Sequence, residues 1–186
     1  MKKEIRVLGI DDSPFDKFKD RYTTVVGVFF RGGSYADGVV STKIRVDGVN
    51  STKKLAEMVN RSRFKSQLKC VFIDGINMAG FNVIDIHRLH ALISIPVIVV
   101  VRRKPDLDNI KRVLRRLGME SKIRLLDKAG PPRKAGKIYI QVAGISFEEA
   151  EEIVKITATH SFIPEPVRVA HLIGAGLVKG ESKGNA

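Results

Sequence analysis

Three strand patterns in immediate succession, followed by alternating helix and strand patterns, constrain this chain more than any other feature. "IRVLGID" (5–11) is short and apolar, and "TTVVGVFF" (23–30) is rich in β-branched residues. "VVSTKIRV" (39–46) alternates, with Val40, Thr42, Ile44 and Val46 on one side and Ser41, Lys43 and Arg45 on the other. The loop "RGGSYADG" supplies the glycines of a β connection, so the three segments predict an antiparallel meander. Beyond residue 50 the pattern changes. "STKKLAEMVNRS" places Leu55, Met58 and Val59 at helical spacing, "CVFID" is a strand, "NVIDIHRLHALI" a helix and "PVIVVV" a buried strand. "DLDNIKRVLRRLG" aligns Leu107, Ile110, Leu114 and Leu117 on one face, with Asp106 as N-cap, Gly118 at the stop and a basic outer face. A loop at 130–137, the strand "IYIQV", a helix opened by the capping box of Ser146 and Glu149, and a last helix from "PEPVRVAHLIGAGLV" complete the chain.

These elements predict an α/β fold: a mixed sheet in which the antiparallel three-strand meander is followed by parallel strands, with helices on both faces. A right-handed crossover brings the fourth strand parallel beside the first. Strands one, three and four then end on one sheet edge, and those ends are "IDD" (Asp11, Asp12), "VDG" (Asp47) and "IDG" (Asp74). A buried acid without a partner is costly, so aspartates collected at one edge point to a shared cation or proton. Neighbouring strands lie about 4.8 Å apart, which places Asp11 beside Asp74, whereas an intervening strand sets Asp47 about 10 Å away unless the chain bends inward. Asp12 faces the opposite side from Asp11.

The 186 residues suit one domain, 1–186, with no internal repeat. No apolar run is long enough to span a bilayer, and the N-terminus lacks a signal-peptide core, so we expect a cytoplasmic protein. The lone cysteine, Cys70, supports neither a disulfide framework nor a thiolate metal site. No phosphate-cradling glycine loop of the G-x-x-x-x-G-K-[ST] kind is present. The net charge is +13, and residues 102–137 hold thirteen Lys or Arg against four Asp or Glu, supplying +9 of it. Such clustering fits a polyanion, most simply nucleic acid. Arg102, Arg103 and Lys104 follow a strand end on the acidic edge and are the cations best placed for a phosphate backbone.

The order of strands and acids resembles the ribonuclease H-like fold and, within it, the endonuclease V family. "VDGVNSTK", "DGINMAGFNVIDI" and "PEPVRVAH" look like those of an uncharacterised, mainly archaeal group, the domain-of-unknown-function family ninety-nine, a relative of endonuclease V. The likeness covers nearly the whole chain. "LGIDDS" is similar to the endonuclease V strand whose aspartate binds metal, and "FIDG" to the later strand ending in Asp-Gly, which implies Asp11 and Asp74 as metal ligands. The resemblance implies Mg²⁺ or Mn²⁺ as cofactor, DNA or RNA as partner, and hydrolysis of a phosphodiester. Departures stand beside it: the Phe-Arg-Glu run with the catalytic glutamate, the Tyr-Ile-Pro-Gly wedge and the His-Pro-Arg run after Asp-Gly are missing. They support an alternative, a non-catalytic binding module that keeps the fold and a polar pocket.

For a third carboxylate beside Asp11 and Asp74 we expect Asp47, since Glu57 turns to solvent when Leu55 faces the core. Asp85, His87 and His90 resemble a ligand cluster, but on a helix Asp85 points away from His87, which favours packing or hydrogen bonding. Glu165 sits at a helix start with Arg168 one turn on, a structural pair with a secondary chance of lining the acidic edge. His171, a further turn on, is a candidate proton shuttle.

Overall fold

The computed structural model describes residues 4–182. The chain runs β1 (Arg6–Asp12), β2 (Tyr22–Arg31), β3 (Tyr35–Arg45), α1 (Ser51–Asn60), β4 (Leu68–Asp74), β5 (Asn77–Met78), β6 (Asn82–Val83), α2 (Ile86–Ile93), β7 (Val97–Val101), α3 (Leu107–Arg116), α4 (Glu120–Ala129), β8 (Arg133–Ala135), β9 (Ile138–Ala143), α5 (Phe147–Thr157) and α6 (Glu165–Lys179). Seven strands form one sheet in the order β3-β2-β1-β4-β7-β9-β8, and β5 and β6 make a small separate hairpin. The antiparallel meander and the parallel β1–β4 and β4–β7 pairs agree with the sequence pattern.

The far side of the sheet departs from it, because β9 runs antiparallel to β7 and β8 antiparallel to β9. The reason lies in residues 107–138, where two helices rather than one lead from β7 to the short β8, and the tight β8–β9 hairpin at Gly136 then reverses the chain. The second, α4, went unassigned in the sequence pattern. It folds back on α3 through a turn at Gly118, with Lys111 bridging Asp127 at 2.6 Å, so the chain returns to the edge it left. Leu117 lies past the last turn of α3 and is exposed rather than packed. The helix expected from residue 82 begins at Ile86, capped by Asp85, whose carboxylate accepts from the Arg88 amide at 2.9 Å. Asn82 is fully buried instead: its amide accepts from Ser51 N and donates to the Arg45 carbonyl, tying the start of α1 to the end of β3.

Both faces of the central strands are covered, so their runs are apolar throughout. Leu8, Ile10, Val71, Ile73, Val97 and Val99 pack on the side of α1, α2 and α4 with Leu55, Val59, Leu89 and Leu126. Val7, Cys70, Phe72, Ile98 and Val100 pack on the opposite side with Ile153, Val154, Val167 and Ala170 of α5 and α6. Gly9 falls on this second face by the two-residue period of the strand. A Cβ there would collide with the backbone of Pro166 and Val167, so α6 rests directly on bare strand backbone.

We therefore expect Gly9→Ala to lift α6 from the sheet and lower stability by about 1–3 kcal/mol. Urea unfolding checks this, with a reduced midpoint at unchanged slope as the expected result; an unchanged midpoint would contradict the packing.

Candidate metal centre

Register and period place the first two acids. In the parallel β1–β4 pair Gly9 lies opposite Phe72 and Ile10 opposite Ile73, so the next positions along the two strands are Asp11 and Asp74. Asp11 shares the face of Val7 and Gly9, and Asp74 that of Cys70 and Phe72; both faces turn to α6. From α6, His171 meets them, its Nδ1 standing 2.8 Å from Asp11 Oδ2. One ligand atom from each of Asp11, Asp74 and His171 falls within 4.8 Å of the other two. Gly174, one turn further along α6, packs against Ser13 and keeps the helix close past the strand end.

The electrostatics are those of acids held where water is scarce. Burial first, and then the Asp11 charge, push Asp74 up to about 6, while Arg102 and His171 oppose the shift. The hydrogen bond to Asp11 raises His171 above its ordinary value, partial burial acting against it. With Nδ1–H donated to Asp11, the ring presents Nε2 as an acceptor. Asp12 faces the other side, where burial pushes it up to about 6 and the Ala79 amide, donating to Oδ2 at 2.9 Å, offsets part of that. It is a structural acid, as its strand position suggests.

Two carboxylates and one imidazole form a donor set suited to a hard or borderline divalent cation. Burial is the main reason Asp74 is raised, and the Asp11 charge beside it adds to the shift, so a cation between the two carboxylates would favour their ionised forms. The carboxylates of Asp11 and Asp74 thus fit the Mg²⁺ or Mn²⁺ that the sequence likeness implies, with His171 held against Asp11 beside them.

Asp47, expected as the third carboxylate, is not part of this group. β2 separates its strand from β1, and its backbone turns away in the left-handed region at φ 53°. Its Oδ1 accepts from Phe81 N at 2.8 Å, its amide donates to the Ala79 carbonyl, and its own carbonyl accepts from Lys122 Nζ at 2.7 Å. Asp47 ties the β3–α1 turn to the β5–β6 hairpin. Glu165 and Arg168 also lie apart. Glu165 is buried, taking Arg168 Nε and Nη2 at 2.9 and 2.7 Å and the His160 amide at 3.2 Å. It precedes His171 by six residues, about 9 Å along a helix axis. Asp85 caps α2 and pairs with Lys128, His87 contacts the Lys128 carbonyl, and His90 contacts the Ile95 carbonyl, the packing and hydrogen-bonding roles expected of them. Arg102, Arg103 and Lys104 are exposed just past β7, and the Arg102 charge is felt by Asp74 and His171.

Sequence reasoning gave His171 a proton to carry and missed it as the third member of the group. Its signal was indirect: bare Gly9 on β1 and the small residues Ala170 and Gly174 on α6 mark a close crossing, with His171 beside it. Lys122 was missed together with α4.

The raised Asp74 makes a signed prediction. A carboxyl with a higher pKa in the folded chain than in the unfolded one binds protons better when folded, so stability falls as pH rises from about 4 to above 6. In chelator at pH 7.5, Asp74→Asn should therefore melt higher than the wild type, and the difference should shrink by pH 4.5. Added Mn²⁺ should raise the wild-type melting point and leave the variant unmoved. A variant that melts lower at both pH values would contradict this account of the site.

Comparisons place the chain among known proteins. The family model described as endonuclease dU matches residues 3–178. A UPF0215 protein of Methanothermobacter thermautotrophicus is 46% identical, covering 100% of this chain and 94% of the relative. The crystal structure of a protein of unknown function from Archaeoglobus fulgidus superposes with a TM-score of 0.87 at 43% identity, covering 93% of this chain and 98% of that one. Endonuclease V of Ciona intestinalis, solved with a 24mer DNA containing an inosine followed by a ribo-adenosine, gives a TM-score of 0.57 at 16% identity, over 90% of this chain and 83% of that one. The last likeness carries the fold alone, and that fold is the ribonuclease H-like one. Both the archaeal relatives and the matched family model lead to one assignment: this chain belongs to the endonuclease dU family.

Proposed function

We propose that this protein is a divalent-metal-dependent nuclease that hydrolyses a phosphodiester of nucleic acid at the edge where β1 and β4 end. The observation that carries the reading is the convergence of Asp11, Asp74 and His171 within 4.8 Å, on three separate segments of the chain. Asp11 and Asp74 hold the cation, Mg²⁺ or Mn²⁺. When bound, it supplies positive charge to phosphate oxygens and acidifies water. His171 steadies Asp11 through Nδ1 and offers Nε2 to take up a proton from the attacking water. The water oxygen bonds to phosphorus as the bond to one bridging oxygen breaks, leaving a terminal phosphate and a hydroxyl. Arg102, Arg103 and Lys104, exposed beside the group, neutralise neighbouring backbone phosphates.

The name of the matched family supports deoxyuridine-containing DNA as the first substrate. The inosine-containing DNA bound by the Ciona protein supports inosine as the second. A non-catalytic nucleic-acid-binding module is the other reading, favoured by Asp47, whose carboxylate is engaged with the Phe81 amide rather than with Asp11 and Asp74.

Incision of duplexes carrying deoxyuridine, inosine or neither, and of matching RNA, separates the two. The nuclease should cut the deoxyuridine strand with Mn²⁺ or Mg²⁺ and not in chelator. Asp74→Asn should lose cutting while still binding, and His171→Ala should weaken metal affinity by about 10- to 100-fold. Salt-sensitive binding with no metal-dependent incision of any substrate would leave the binding module standing.

A further inference from the structure

Three of the most exposed apolar side chains among the described residues stand at the sheet edge that carries Asp11 and Asp74, Val49 on the α1 side of the sheet and Leu177 on α6. Phe18 is 86% exposed, Val49 83% and Leu177 69%, the highest values among the large apolar residues of the described chain. Phe18 belongs to the β1–β2 loop, which opens directly beyond Asp11 and Asp12. Val49 lies in the turn between β3 and α1 on the same edge. Leu177 follows Gly174, the residue of α6 that packs on Ser13 at the end of β1.

Phe18 is not exposed for want of local structure. Asp16 Oδ1 accepts from Phe18 N at 2.9 Å, Asp20 Oδ2 accepts from Asp16 N at 2.7 Å, and the Asp16 carbonyl accepts from Lys19 N and Asp20 N. Thr23 Oγ1, donating to the Ser13 carbonyl at 2.9 Å, and Ser13 N, donating to the Thr24 carbonyl, close the base of the loop. The two loop carboxylates are thus engaged in the turn. Lys17 leans over the Phe18 ring at 4.9 Å, and Lys19 and Arg21 flank it in sequence. Folding ordinarily buries a phenyl ring, yet this turn holds one out into water amid cations.

We propose that Phe18 is a stacking platform for an unpaired base of the nucleic acid bound at this edge. An inference of this kind rests on the nucleic-acid reading given above and adds to it the residue that grips a base. Aromatic rings set among basic residues are the usual means of holding single-stranded nucleic acid, since every base has a face to stack. The surrounding charge selects that partner over an apolar protein surface: Arg102, Arg103 and Lys104 are exposed on the same edge, and the chain carries +13. Phe18 thus binds base while the basic residues bind phosphate.

The chain contains no tryptophan, so Phe18→Trp places a single fluorescent reporter at the loop tip. Binding of a fluorescein-labelled single-stranded oligonucleotide is measured in chelator for wild type, Phe18→Ala and Phe18→Trp, across a salt series. Expected are about ten-fold weaker binding by Phe18→Ala with an unchanged salt slope, and quenching of Phe18→Trp by the unlabelled oligonucleotide but not by heparin. Wild-type affinity in Phe18→Ala together with an unmoved tryptophan would overturn the platform and leave nucleic-acid binding intact. No binding by the wild type at any salt would overturn both. Self-association lost in Phe18→Ala, with DNA affinity unchanged, would assign the patch to protein contact and overturn the proposal.

Discussion

The contact of α6 with bare backbone at Gly9 is the constraint on which the rest of the site depends. A side chain there would hold the helix off the sheet, and His171, five residues beyond Pro166, would move away from Asp11. The parallel register of β1 and β4 supplies the other half, setting Asp11 and Asp74 side by side on the face that α6 covers. Three segments distant in sequence thus meet at a point defined by a missing Cβ and a strand register. The ribonuclease H-like sheet is the frame that allows it.

Charge is arranged on two scales that oppose each other. The chain as a whole is +13, and its basic residues are concentrated in 102–137, beyond β7 and along α3 and α4. The site itself is acidic, with Asp74 pushed up by burial and by Asp11. On the reading proposed above, a polyanion drawn to the basic surroundings would meet these carboxylates, and a divalent cation would relieve that conflict by serving both.

Several acids and histidines that look chemical in the sequence serve local structure. Asp85, His87 and His90 share a short stretch, yet each finishes in a cap, an ion pair or a carbonyl contact around α2. Glu165 and Arg168 form a buried pair at the start of α6. Asp47 differs in kind, because it stands on the correct edge and is withdrawn by its own turn. Proximity to an edge is therefore not membership of a site; the remaining hydrogen-bond partners decide which acids are left free.

The amino-acid sequence by itself determined the meander, the parallel placement of β4, the capped helices and the position of Asp11 and Asp74 at adjacent strand ends. These follow from periods of two and of about 3.6 residues and from cap chemistry, which act over a few residues and leave a local trace. Tertiary structure alone decided that His171 completes the group, that Asp47 leaves it, that α3 and α4 fold into a pair leading to the β8–β9 hairpin in which β9 turns antiparallel, and that Asn82 is buried between α1 and β3. Each of these depends on which distant segments come into contact, and on where their hydrogen bonds find partners. No single stretch of the chain encodes that, because the energies that settle it exist only once the sheet and α6 have packed.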